Sequence, residues 1–101
     1  MKKLWLDDTR PVPDLKVWDR VKTYDEFVAY IKEHGVPDYI SFDHDLGQEK
    51  TGYSVATTIE SMIQGGFLTK MIEYDVHSAN PVGRKRIIQA MESARRYTLD
   101  K

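Results

Sequence analysis

Three short apolar runs in this chain each end in an abrupt polar turn. Leu4-Trp5-Leu6 leads into Asp7-Asp8-Thr9-Arg10, Tyr39-Ile40-Ser41-Phe42 into Asp43-His44-Asp45-Leu46-Gly47, and Met71-Ile72-Glu73-Tyr74-Asp75-Val76 into His77-Ser78-Ala79-Asn80-Pro81. Strand-length runs separated by segments of helical period restrict the chain to an α/β sheet with right-handed crossovers. In an open parallel sheet the carboxyl ends of neighbouring strands line one edge. Acids, imidazoles and a hydroxyl dispersed along the sequence therefore converge in one crevice.

The segments between the runs read as follows. Val17-Trp18-Asp19-Arg20-Val21 is a further short strand near a sheet edge. Tyr24, Phe27, Val28 and Ile31 form one helical stripe. Thr23 and Glu26 are spaced as a capping box before it, and Gly35 stands at its stop. Val55, Ala56, Ile59, Met62 and Ile63 form a second stripe closed by Gly65-Gly66. A third helix follows, with Asn80 as cap, Pro81 in its first turn, and Val82, Ile87, Ile88, Met91 and Ala94 on its buried side. At 101 residues the chain is read as one domain, 1–101, large enough for a single core without staples.

Asp7 and Asp8 follow one strand, and Asp43 and Asp45 follow another expected beside it. Aspartates are also ordinary turn residues, and either pair alone reads that way. Two pairs at matching strand ends repel unless a cation joins them, and carboxylates completed by waters and a phosphate suit Mg2+ or Mn2+. The chain has no cysteine, so thiolate zinc and iron-sulfur sites are excluded.

Of three histidines, His34 reads as a helix-end surface residue, whereas His44 and His77 stand at polar strand ends. Two imidazoles facing one phosphorus can serve as general base and general acid. Ser78, Asn80, Gly83 and Arg84 lie where a strand end feeds a helix amino end, a place suited to an anion; Arg10, on a loop stiffened by Pro11 and Pro13, is a second clamp. Gly47 to Tyr53 reads as a mobile loop able to cover a ligand, without the P-loop spacing. Trp5 and Trp18 read as packing residues beneath covering helices.

Net charge is −1, which gives no general pull toward nucleic acid, and Arg84, Lys85, Arg86, Arg95 and Arg96 read as a solvated helix face. The start lacks a signal-peptide core and no run of 18 apolar residues occurs, so no membrane association and a cytoplasmic location are expected.

Through these three ordered motifs, including Thr51-Gly52-Tyr53 and Val82-Gly83-Arg84, the chain resembles the cyclic-phosphate processing receiver domain over nearly its whole length. That family is a divergent relative of the response-regulator receiver. The resemblance implies a truncated flavodoxin-like fold: a three-layer α/β sandwich on a short, mostly parallel sheet of about four strands. It also implies an acid pocket for a divalent metal and a role in hydrolysing cyclic phosphates of nucleotide-derived substrates. Asp7, Asp8 and Asp43 match the receiver acid triad, with Asp43 at the phosphoacceptor position, and His77-Ser78 take the place of the switch hydroxyl. The receiver's lysine on a further strand has no counterpart.

The expected function is thus a metal-assisted phosphoesterase, a hydrolase of the cyclic phosphodiesterase type. In it Asp7, Asp8 and Asp43 bind metal, and His44 and His77 move protons. Arg10, Arg84, Ser78, Asn80 and Gly83 meet the phosphoryl group, and Asp45, on the same substrate side, orients His44 or joins the metal's outer shell. The expected partner is a small phosphorylated, nucleotide-derived ligand; nucleic acid is not expected as the main partner, and the sequence names no protein partner. The alternative is a phosphoacceptor or nucleotide-binding module without turnover. A third reading is an accessory protein acting by surface contact.

Overall fold

The computed structural model describes residues 1–99, with the side chain of Leu99 left aside. In chain order the elements are β1 (Lys3–Leu6), β2 (Trp18–Val21), α1 (Tyr24–His34), β3 (Tyr39–Phe42), α2 (Gly52–Gln64), β4 (Glu73–Val76) and α3 (Pro81–Leu99). The strands form one parallel sheet in the order β2-β1-β3-β4. This is the α/β class and the short sheet that the resemblance implies.

Side-chain alternation explains the layering. Leu4, Leu6, Ile40, Phe42, Val21 and Val76 all lie on one face and are buried. They share a single core with Phe27 and Tyr30 of α1, Val55, Ile59 and Ile63 of α2, and Ile87, Met91 and Ala94 of α3. Each fully buried Leu or Ile side chain contributes about 1.5–3 kcal/mol. The opposite face carries Lys3, Trp5, Trp18, Arg20, Tyr39, Ser41, Glu73 and Asp75, and no helix packs on it among the described residues.

The domain is therefore thinner than a full three-layer sandwich, because the β1–β2 connection, residues 7–17, holds no helix and no strand follows α3 among the described residues. Trp5 and Trp18 accordingly sit half-buried on the bare face instead of beneath helices. Trp18 meets Trp5 and Tyr39 edge-on at centroid distances of 5.5 and 5.9 Å, with the Lys3 ammonium 4.8 Å from the Trp18 ring centre. No helix is long and apolar enough to cross a membrane among the described residues.

Local details differ from the sequence reading in three places. Thr23 Oγ1 accepts the Glu26 amide at 3.0 Å, but the Glu26 carboxylate reaches back to Lys22 N (3.0 Å) instead of Thr23 N. Gly52 and Tyr53 belong to the first turn of α2, which begins in a reciprocal contact of Thr51 with Ser54, so the loop before it is shorter than expected. Val82 is 62% exposed and not on the buried side of α3, since the first turn overhangs the strand end.

Candidate active site

Register alone predicts what converges. Trp5 pairs with Ser41 and Ser41 with Asp75; one residue on, Leu6, Phe42 and Val76 are aligned. The ladder then continues by one rung, through Asp43 N to Leu6 O (2.9 Å), His77 N to Phe42 O (2.9 Å) and Asp7 N to Val21 O (3.1 Å). Asp7, Asp43 and His77 thus fall in one row, two residues beyond Trp5, Ser41 and Asp75 and on the same bare face. One ligand atom from each lies within 4.8 Å of the others.

Asp7 is fully buried. Its Oδ1 accepts the amides of Thr9 and Arg10, both at 2.9 Å, and the Thr9 hydroxyl at 3.3 Å, while Oδ2 meets His77 Nε2 at 2.9 Å. Burial pushes the Asp7 carboxyl up, but these amides and His77 outweigh it and hold the group below its ordinary value. Asp43 moves the other way. Burial and then the negative charge of Asp7 raise it, against smaller lowering contributions from the His44 amide, His77 and Ser78.

Linkage gives these shifts opposite signs. Asp7, lowered in the folded state, contributes stability above its unfolded value of about 3.8, lost as pH falls through its folded value. Asp43, raised, makes stability decline as pH climbs from about 3.8 through its folded value. An acid pair that is buried at Asp7, half-buried at Asp43 and opposed to double ionisation is a fitting place for a hard divalent cation, and carboxylate oxygens are the donors that Mg2+ or Mn2+ takes.

His77 is held on every side. Its ring stacks on Trp5 at 4.0 Å with 3° between planes, its Nδ1 lies 2.8 Å from Ser41 Oγ, and its carbonyl accepts from Arg10 Nη1 at 2.6 Å. Ser41 Oγ in turn donates to Asp75, whose other oxygen accepts the Tyr39 hydroxyl at 2.6 Å.

The next residues along each strand turn toward the helices. His44 packs against the first turn of α3, where a Cβ on Gly83 would stand 2.6 Å from Nδ1 and nearer still to the ring carbons. His44 Nδ1 meets Asp45 Oδ1 at 3.0 Å, and Asp45 Oδ2 accepts from Asn80 at 3.3 Å. Ser78 is buried and reaches both the Asn80 amide (3.1 Å) and Asp43. Asp8 stands beside Gly47, whose φ of 67° only glycine adopts readily, and is not in the row with Asp7, Asp43 and His77.

Two expected phosphate donors are already engaged. Gly83 N is capped by Asn80 Oδ1 at 3.0 Å, and Arg84 Nη1 donates to Val76 O at 2.5 Å, although its guanidinium retains further donors. Ser41 and Asp75 were not singled out from the sequence, and Trp5 was read there only as a packing residue. Their signal was the period of two: each lies two residues before one of the converging groups. A cavity of about 600 Å3 opens at the opposite end of the strands, lined by Met1, Val36, Phe67, Leu68 and Met71, and holds none of these groups.

A four-stranded parallel α/β domain with an acid pair at the ends of its two central strands is a receiver-like domain. The chain matches the cyclic-phosphate processing receiver domain over residues 2–93 and belongs to that family. No curated protein and no solved structure matches it.

Proposed function

We propose that this domain is a metal-assisted phosphoesterase that opens the cyclic phosphate of a nucleotide-derived substrate. The observation that carries the reading is the row of Asp7, Asp43 and His77, with His44 packed at the neighbouring strand end. Asp7 and Asp43, with Asp8 on the adjoining loop, would hold Mg2+ or Mn2+. When bound, that cation supplies Lewis-acid polarisation of a phosphoryl oxygen. One imidazole takes a proton from the attacking water as the new P–O bond forms. The other gives a proton to the ring alkoxide as the old P–O bond breaks. Arg10, fixed through His77 O, and Arg84 present their remaining N–H donors to the phosphoryl oxygens, and Asp45 orients His44.

The test is phosphorus NMR of the protein with Mg2+ or Mn2+ against 2′,3′-cyclic nucleotides and ADP-ribose cyclic phosphate. Metal-dependent conversion to a monoester is expected. No conversion, with acetyl phosphate labelling Asp43 instead, would replace this reading with the phosphoacceptor one.

A stability measurement checks the acid pair separately. Asp43→Asn removes the charge that Asp7 opposes, so the metal-free variant is expected to melt higher than the wild type. Mg2+ at a hundredfold excess over Kd stabilises the wild type by about 2.7 kcal/mol, and the variant should lose that response. A variant that melts lower without metal, or still responds to Mg2+, contradicts the assignment.

A further inference from the structure

The Thr51-Gly52-Tyr53 motif supplies a glycine that the fold requires and a tyrosine that it does not. Gly52 is buried and its amide donates to His44 O at 2.8 Å, whereas Tyr53, the next residue, is 38% exposed. The arrangement repeats on α3. Gly83 presses on the His44 ring, and Val82, the residue before it, is left in solvent. The first turns of α2 and α3 thus both close on His44, and each leaves one large apolar side chain exposed beside it.

Arg86 joins the two. It stands four residues after Val82, on the same side of α3, and its guanidinium lies over the Tyr53 ring, 6.0 Å from the centre. Arg95 is placed in the same way over Tyr74, but Glu73 and Glu92 hold it at 3.5 and 3.4 Å. The Arg86 guanidinium has no hydrogen bond or ion pair among the described residues, and the Tyr53 hydroxyl is likewise unbonded. Stacked planes touch at about 3.5–4.0 Å, so the pair stands open, about 1–2 Å short of the separation that admits a flat ring between its members. A rotamer change of a flexible arginine covers that difference. Nucleobases stack on aromatic rings and on guanidinium planes alike. Arg84, Lys85 and Arg86, all exposed, also give this end of α3 a positive setting suited to a ligand that carries phosphate.

We propose that Tyr53 and Arg86, with Val82 at their edge, bind the nucleobase of the substrate. The inference rests on the phosphoesterase reading and narrows its substrate class. Because the patch begins one residue from each contact on His44, it serves a base carried on the same ribose as the cyclic phosphate, as in a 2′,3′-cyclic nucleotide, and not a base held across a diphosphate.

The experiment has two readouts on the full chain with Mg2+. Steady-state turnover compares 2′,3′-cyclic AMP with methyl riboside 2,3-cyclic phosphate, which lacks a base. Saturation-transfer NMR follows the adenine protons of 3′-AMP and needs no turnover. Tyr53→Ala should raise KM for the cyclic nucleotide by about 5- to 150-fold, with kcat little changed, since the base is held equally in the ground and transition states. It should also abolish the saturation transfer. Tyr53→Phe, which keeps the ring, should preserve both. Arg86→Lys, which keeps the charge and loses the plane, should raise KM by a smaller factor. The base-free substrate should show a raised KM already in the wild type and be indifferent to all three substitutions. Both residues are exposed, so the variants should melt with the wild type.

A cyclic-nucleotide KM unmoved by Tyr53→Ala overturns the inference, as does saturation transfer that is absent from the wild type or survives in the variant. Saturation transfer lost with the Tyr53 ring, in a protein that hydrolyses no cyclic phosphate, would uphold the base site and remove the proposed function. Equal turnover of the two substrates would do the reverse.

Discussion

His77→Ala is expected to lower metal-dependent turnover by about 100- to 10,000-fold, the range for removing a positioned proton-transfer group, while the Mg2+-induced rise in melting temperature survives. The argument is geometric. Among the described residues the imidazole is the only group bonded at once to Asp7 and to the Ser41–Asp75 pair, so no described side chain stands ready to take over its proton. The same substitution removes the stack on Trp5 and one partner of a buried carboxylate, a cost of about 1–3 kcal/mol. The variant must therefore be assayed well below its melting point. Asp7 retains three donors on Oδ1, so the acid pair stays in place. Near-normal turnover would remove His77 from the chemistry. Loss of the Mg2+ response would instead make its Nε2 a metal ligand. His34→Ala, at the exposed end of α1, should change neither quantity and serves as the control.

Much of this was open to inspection in the chain itself. The three helical stripes and four apolar runs mark real elements because each buried face must repeat at its own period. Asp7, Asp43 and His77 converge because a parallel sheet sends its strand ends to one edge. The bare face was harder to foresee. Trp5 and Trp18 look like core residues in a fold whose sheets are normally covered twice, and only the helix-free passage from Asp7 to Val17 shows that they are not. Ser41 was hidden for a related reason. In a run that is apolar on one face, a lone serine reads as filler until register pairs it with Trp5 and Asp75. Arg84 belongs to neither case. Long side chains on a helix lean back toward its amino end, and this one reaches Val76 O at the end of β4.

Gly52→Ala should be the most damaging single methyl group in the domain, because two effects of opposite sign meet there. Gly52 is the first residue of α2, and by helix propensity alanine is better than glycine by about 1 kcal/mol. Its amide, however, donates to His44 O at 2.8 Å, drawing the helix onto the turn that follows β3. A Cβ there would overlap the Asp43 carbonyl oxygen, stand 3.0 Å from the carbonyl carbon and 3.2 Å from His44 Cα. All three are backbone atoms, tied to β1 by the Asp43 amide, so no rotamer change relieves the contact. Steric cost should win, at the upper end of the overpacking range, about 3 kcal/mol, or roughly 12–24 °C of melting temperature for a domain of this size. Turnover should fall further than stability alone explains, since the segment displaced carries Asp43 and His44. Gly66→Ala is the matched comparison. Its φ of 81° makes alanine strained there, but nothing lies within 4 Å of the added carbon, so it should cost only about 1–2 kcal/mol and leave turnover intact. If Gly52→Ala melts at or above the wild type, propensity has prevailed, and α2 does not press on the turn that holds the two residues.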